Sequence, residues 1–427
     1  MSTLRLFRVL AVVLIAASVI GACATLTPAS PISFMVFGDP AELKAYQSLV
    51  AGFEQKNPSI KVDLIHIPSQ SDYRKRVAAD FAANTPANIV LINYRNYAAF
   101  AAKGVLQPVE SYLKNSTVIK PADFYEEALL PFAYQGVQMC LPQNVSSLIV
   151  YYNKHLFDAA GVAYPKADWT WADFLSTAQA LTKDLDGDGR TDQYGAGIEA
   201  SLIRVAPFIW QNGGELVDTP QARRLTIDTP QALEAVQWVV DLQAKHHVVP
   251  DAAAEKSEDS ETRFMNGRLA MFFDSRRVTP TFREITGFDW DVAALPNNGH
   301  GPATILHSDA ECMTSATQNK DAAWKFIEYA NSVEGQTILA STGRTVPSLK
   351  AVAESAAFLD PKAKPANSRA WLEAIPSIRA VPILKNWTDI EEVFGAEFER
   401  AFYADAPVAE VVKAIVERSL IFFTETE

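Results

Sequence analysis

The stretch "RLAMFFDSRRVTP", residues 268–280, runs from an unbroken apolar segment, Leu269 to Phe273, straight into Asp274, Ser275, Arg276 and Arg277. A short apolar run bounded by charge reads as a strand buried on both faces, the kind that builds parallel sheets. Other segments agree with this reading. "ISFMVFG" (32–38) and "ANIVLIN" (87–93) are also apolar runs, while "SIKVDLI" (59–65) alternates like a half-buried strand. Helical patterns lie between them. "DPAE" (39–42) predicts a helix start with Asp39 as N-cap, Pro40 at the first helical position and Glu42 reaching back to the cap. Leu43, Tyr46, Val50 and Phe53 would then share one face. "TWAD" (170–173) opens another helix, with Trp171, Phe174, Leu175, Ala178 and Leu181 on its apolar side, and residues 229–245 and 319–332 give two more. Strands alternating with helices imply open α/β sheets. The charged stretch "AEKSEDSETR" (254–263) reads as solvated surface.

With 427 residues, 48% hydrophobic and 21% charged, the chain exceeds what one hydrophobic core usually organises, so two lobes are expected. The net charge of -12 is spread along the chain without a basic block, which argues against nucleic acid as a partner. Arg5 and Arg8 precede an apolar run, Val9 to Ile20, that is short for a membrane span and suits a secretory signal. The run ends in "IGAC", which resembles a lipobox: cleavage after residue 22 would leave Cys23 to carry acyl chains, with 23–31 as a tether. An ordinary signal peptide with an incidental cysteine is the alternative. Of the three cysteines, Cys140 and Cys312 then stand either as two small buried hydrophobes or, in an exported chain, as a bridge.

Six segments in order carry a resemblance: "LIVYYNKHLFDAAGV" (148–162), "WTWADFLSTAQALT" (169–182), "IWQNGGELVD" (209–218), "RFMNGRLAMFF" (263–273), "DAAWKFIEYANSVEGQ" (321–336) and "TGRTVPS" (342–348). They look like the extracellular solute-binding proteins (family 1) of bacterial ABC importers, sugar-binding lipoproteins of the maltose-binding-protein type. What the resemblance implies is a two-lobe α/β periplasmic-binding-protein fold with crossing hinge strands and a helical C-terminal portion. The first lobe would comprise 32–143 and 311–360, the second 144–310 and 361–427. Crossing strands near 141–147 and 303–316 would bring Cys140 and Cys312 close together, which favours the bridge.

In such a fold the ligand sits between the lobes, and open α/β sheets gather ligand groups at the carboxyl ends of their strands. Asp274, Arg276 and Arg277 would thus face the cleft, Arg276 in preference to Arg277. Segments converging there add Asp39, Tyr94, Arg95, Gln143, Asn144, Trp210, His307, Asp309 and Arg344. Guanidinium groups offer fixed donors, carboxylates accept from hydroxyls, and Trp210 and Tyr94 would cover sugar faces. The ligand expected is a carbohydrate-like solute, or alternatively an anionic one such as a sugar acid or a glycerol-phosphate-type solute. A monomer anchored to the outer face of the cytoplasmic membrane would pass it to permease subunits served by a separate ATPase, since this chain has no phosphate-binding loop motif.

"DLDGDGRTDQYG" (184–195) matches most of a calcium loop, with Asp184, Asp186, Asp188, the Arg190 carbonyl and Asp192 in ligand places but Gly195 where the bidentate glutamate belongs. A structural calcium is a candidate there, a plain turn the alternative. No other cofactor is expected. A glycoside hydrolase built on paired carboxylates, and an adhesion protein with no small ligand, are the remaining readings.

Overall fold

The computed structural model of the chain describes residues 31–218 and 222–424; the expected secretory segment 1–22, Cys23 and the expected tether up to residue 30 lie outside the described residues. The first apolar run becomes β1 (Ile32–Phe37), followed by α1 (Pro40–Lys56), β2 (Val62–Ile67), α2 (Gln70–Ala82), β3 (Ile89–Asn93), α3 (Tyr94–Ala102) and β4 (Cys140–Pro142). The middle of the chain supplies β5 (Ser146–Ser147), β6 (Ile149–Asn153), α4 (Trp171–Leu181), β7 (Tyr194–Gly197), α5 (Leu202–Gln211), α6 (Pro230–Ala244), β8 (Leu269–Asp274) and β9 (Trp290–Ala293). It returns through β10 (Thr304–His307) and β11 (Asp309–Met313) to α7 (Lys320–Ala330), α8 (Val333–Ser341), β12 (Ile378–Arg379), α9 (Trp387–Ala404) and α10 (Val408–Thr424).

Two sheets centre the lobes. The first has the order β2-β1-β3-β11-β4, with β1 parallel to β2 and β3, and β11 antiparallel to β3 and β4. The second has the order β9-β6-β8-β7, with β8 parallel to β7 and antiparallel to β6. A small sheet, β12-β10-β5, lies where the chain crosses between them. The crossing back to the first sheet falls at Ser308, between β10 and β11, so a lobe boundary at 310/311 would cut through a strand. The helical C-terminal part packs on the second lobe through α5 and α6, and α9 also touches α3 of the first. Among the described residues no helix is long and apolar enough to cross a membrane.

Local sequence explains these elements. β8 is buried at all six positions, and Phe273 meets Phe174 and Phe208 at ring-centroid distances of 5.3 and 6.0 Å. Each such aromatic stabilises the fold by about 1.5–3 kcal/mol through burial. The helix start at Asp39 is a full capping box: Asp39 Oδ1 accepts from the N–H groups of Ala41 and Glu42, and Glu42 Oε2 accepts from Asp39 N–H. The buried stripe of α1 is rotated from the expected one, running through Glu42, Ala45, Tyr46, Leu49 and Phe53, while Leu43 and Val50 are only half-buried. Glu42 turns inward against Gly38. That glycine has φ +133°, and a Cβ there would lie 1.6 Å from the Glu42 carboxylate.

The charged stretch 254–263 is not all solvated. Arg263 is 6% exposed, donates to the Ala254 and Glu258 carbonyls, and lies 5.0 Å from the Tyr194 ring centroid, because the short helix Ser260–Met265 turns it inward. Cys140 and Cys312 are directly opposed on β4 and β11 and joined by a disulfide, with S–S 2.04 Å.

Candidate functional site

A cavity of about 580 Å³ opens between the lobes. Its walls follow from the topology. Gly38 and Asp39 follow β1, Pro68 and Gln70 follow β2, Asn93 ends β3, Glu199 and Ser201 follow β7, and Ser275 and Arg277 follow β8. These are carboxyl ends of the parallel strands, where backbone groups and loop side chains of an open sheet are free to meet a ligand. Gln143, Asn144, Ser146, His307 and Asp309 line the cavity from the crossing segments, Arg344 and Thr345 from the loop after α8, and Thr388, Glu391 and Glu392 from α9.

Charge pairs dominate this lining. Arg344 binds Glu42 through Nε and Asp39 Oδ2 through Nη1 at 2.9 Å. Burial pushes the Glu42 carboxyl up to about 7, although Arg344 pulls the other way. Arg95 donates to Glu391 at 2.7 Å and to Asn93 Oδ1 at 3.1 Å, and Asn93 donates in turn to Asp309 at 3.0 Å. Asp309 is raised by its burial. Asp274 is 1% exposed, clamped by Arg277 Nη2 at 2.6 Å and Arg204 Nη2 at 3.2 Å. Burial alone would raise its pKa, but the two guanidinium groups outweigh that and hold it below the usual carboxylate range. The hinge is bonded directly: Ser308 Oγ donates to the Asn144 carbonyl at 2.6 Å, and Asp309 N–H donates to Asn144 Oδ1 at 2.8 Å.

Asp39, Arg95, Gln143, Asn144, Arg277, His307, Asp309 and Arg344 thus meet in one cavity, as their segments suggested. Four expected residues do not line it. Arg276 is fully buried on the opposite side of its loop, with its guanidinium 4.3 Å from the Phe358 centroid and 4.6 Å from that of Trp371. Residues 276–278 form a 3₁₀ turn, in which successive side chains diverge by a third of a turn, so Arg277 takes the cleft and Arg276 the interior. Burial lowers the Arg276 pKa to about 9. Trp210 lies eight residues beyond Leu202, the first residue of α5, about 12 Å along the helix axis and away from the cavity. It is 6% exposed and covered by the Arg379 guanidinium at 4.7 Å. Tyr94 is buried in the first-lobe core, and Asp274 reaches the cleft only through the arginines it orients. Phe37 is the one Phe, Tyr or Trp among the described lining residues.

Glu42, Arg74, Glu199, Ser201, Arg204, Glu391 and Glu392 line the cavity without having been singled out in the sequence. Two of these groups left a signal. Glu42 is the capping-box partner of Asp39, and the Ser201–Arg204 segment begins a helix just after the carboxyl end of a strand. Glu391 has none, since α9 returns to the cleft from a distant part of the chain.

In the loop at 184–195, carboxylate oxygens of Asp184, Asp186 and Asp188 lie within 4.8 Å of one another. Asp184 accepts from Gly189 and Gly187 N–H groups, which lower its pKa. Asp188 accepts from the N–H of Arg190, Asp192 from that of Leu185, and Gly195 is part of β7. The first three places bring carboxylates together, although both Asp184 oxygens and one of Asp192 already accept backbone N–H groups, and the twelfth place has no carboxylate.

Two α/β lobes crossed by hinge strands, with a polar cavity lined from both, define a protein built to hold a small polar solute between its lobes. A family model for bacterial extracellular solute-binding proteins matches residues 38–337, and the chain belongs to this family. It is a solute-binding protein of the kind that serves ABC importers, and the family places it outside the cytoplasm. It is 25% identical over 354 residues to a putative binding protein of Brucella abortus, covering 82% of each chain. It is 23% identical over 361 residues to an sn-glycerol-3-phosphate-binding periplasmic protein of Agrobacterium fabrum, covering 80% of each. The solved structure of an ABC substrate-binding protein from Listeria monocytogenes in complex with cycloalternan aligns with a TM-score of 0.85 and 26% identity, over 93% of this chain and 99% of that one.

Proposed function

We propose that this protein captures a carbohydrate-like solute in the inter-lobe cavity and releases it unaltered to a membrane permease powered by a separate ATPase. The observation that carries this reading is the cavity itself: about 580 Å³, open, and walled by paired carboxylates and guanidinium groups from both lobes. Such pairs supply donors and acceptors at fixed positions, which a polyhydroxylated molecule can match on several sides at once. The Listeria protein's complex with cycloalternan supports a sugar, and the Agrobacterium protein's name supports a glycerol-phosphate-type solute as the second reading. The protein acts as a monomer held by acyl chains on Cys23.

A thermal-shift screen with neutral and anionic sugars tests the proposal. A ligand bound only by the folded state at a hundred times its dissociation constant adds about 2.7 kcal/mol of stability. The recovered ligand should be chemically unchanged, and a panel without any upward shift contradicts the reading. Calcium at 184–192 belongs to the proposal as a structural ion only; a melting curve indifferent to millimolar calcium and excess chelator removes it.

A further inference from the structure

Many charged groups of the cavity are paired, but in one corner shielded polar atoms have no hydrogen-bond partner. Arg204 is 4% exposed and lines the cavity; its Nη2 faces Asp274 at 3.2 Å and Glu199 at 3.4 Å, whereas its Nε and Nη1 are shielded from solvent and have no partner. Ser201, the N-cap residue of the ten-residue helix α5, makes no capping bond, and its shielded Oγ is also without a partner. His307 Nε2 is a third such atom in the lining. Burial, reinforced by the positive fields of Arg204 and Arg95, pushes the His307 pKa well down, so the ring is neutral.

We infer that this corner, made of Ser201 and the first turn of α5, Arg204 and His307, seats an anionic oxygen group of the ligand, a phosphate or a carboxylate. The inference rests on the cavity being the ligand site and names the chemistry one end of that ligand carries. Net charge does not decide for it, because Glu199, Asp274 and Glu261 outnumber Arg204 and Arg277. Unmet donors do. The first N–H groups of a helix lack intrahelical acceptors, and its positive end favours an anion. Together with two guanidinium nitrogens they form a donor-rich pocket, and a buried donor left unsatisfied is costly. A sugar hydroxyl brings a donor along with each acceptor. An ionised phosphate or carboxylate brings acceptor oxygens alone and forms the stronger, charge-assisted bonds.

Isothermal titration of the mature exported chain tests this, with neutral mono- and oligosaccharides, uronic acids, sugar phosphates, glycerol phosphate and inorganic phosphate as probes. At least one anionic probe should bind ten or more times more tightly than its neutral counterpart, and uronic acids against phosphates tell which anion is preferred. Arg204→Lys keeps a cation beside Asp274, and His307→Gln keeps a polar side chain; each should reduce that preference to threefold or less, with ligand-free melting curves reporting that the variants are folded. If only neutral sugars bind, or if the anion preference survives both substitutions, the anion seat is refuted while the sugar-binding cleft stands. If no probe binds at all, the reading of the cavity as a ligand site fails with it.

Discussion

Arg344 of the first lobe donates Nη1–H to the backbone carbonyl of Arg277 in the second at 2.8 Å, while the same guanidinium holds Asp39 and Glu42. One side chain therefore fastens the two lobes at the cavity mouth and compensates a buried carboxylate beneath it. Arg344→Gln should cost on the order of 3 kcal/mol, the low end for breaking a buried pair, because Arg344 keeps some solvent contact. The double variant with Glu42→Gln should recover part of that loss. Chemical denaturation of the four proteins in this cycle measures it, and strictly additive effects would contradict a coupled pair.

Stability should fall as pH rises, through a group outside the cavity lining. Glu311 of β11 is fully buried, accepts from Asn331 Nδ2 at 3.0 Å and leaves Oε1 without a partner. Burial raises its pKa from 4.5 to about 8. The folded state then binds this proton more tightly than the unfolded one, so stability declines from about pH 4.5 until about pH 8, by up to roughly 5 kcal/mol from this residue. Glu311→Gln should flatten that decline and melt higher than the parent at pH 8. Melting curves across this range check it; parallel profiles for the two proteins would refute it.

The adjacent arginines should behave oppositely. Arg276→Met removes a buried cation that has no carboxylate partner and keeps the volume, so it should leave ligand affinity within twofold and change stability little. Arg277→Ala removes the clamp on Asp274 and a cavity wall, and should weaken binding tenfold or more. Titration of both variants with one ligand suffices.

Trp210→Ala should act on the fold alone. A large buried aromatic truncated to alanine costs about 3–5 kcal/mol, while the cavity 12 Å along the helix keeps its lining. A lowered melting temperature with unchanged affinity is the expected pair of results. Lost affinity in a folded variant would return this residue to the ligand site.

The Cys140–Cys312 bridge spans 172 residues of sequence. In the chain-entropy model a loop of that length stabilises the fold by about 5 kcal/mol. Replacing both cysteines by serine should lower the melting temperature markedly, and thiol titration of the denatured, unreduced parent should find neither residue free.

The strands and most helices were legible because each carries its own signal. The run at 269–273 is apolar throughout, and Asp39-Pro40 marks a helix start whatever the fold around it. The cavity was half legible for the same reason: the segments that end strands can be read, but the direction a side chain takes from them cannot. Arg276 and Arg277 differ only by one step of a tight turn, and Trp210 only by its distance along α5. Glu391 becomes a cavity residue through helix packing between remote parts of the chain, and no local pattern encodes that.

The bridge also bears on how the lobes can move. It welds β4 to β11 near the places where the chain leaves the first sheet after β4 and re-enters it at β11, so those strands cannot slide past each other. Bending is left to Gln143–Ser146 on one side and His307–Ser308 on the other. Four of these residues, Gln143, Asn144, Ser146 and His307, also wall the cavity. On the proposed function, the axle on which the lobes would swing is partly made of groups that would grip the cargo, and a solute lodged against them would report its presence as a torque rather than through a relay of intermediate contacts.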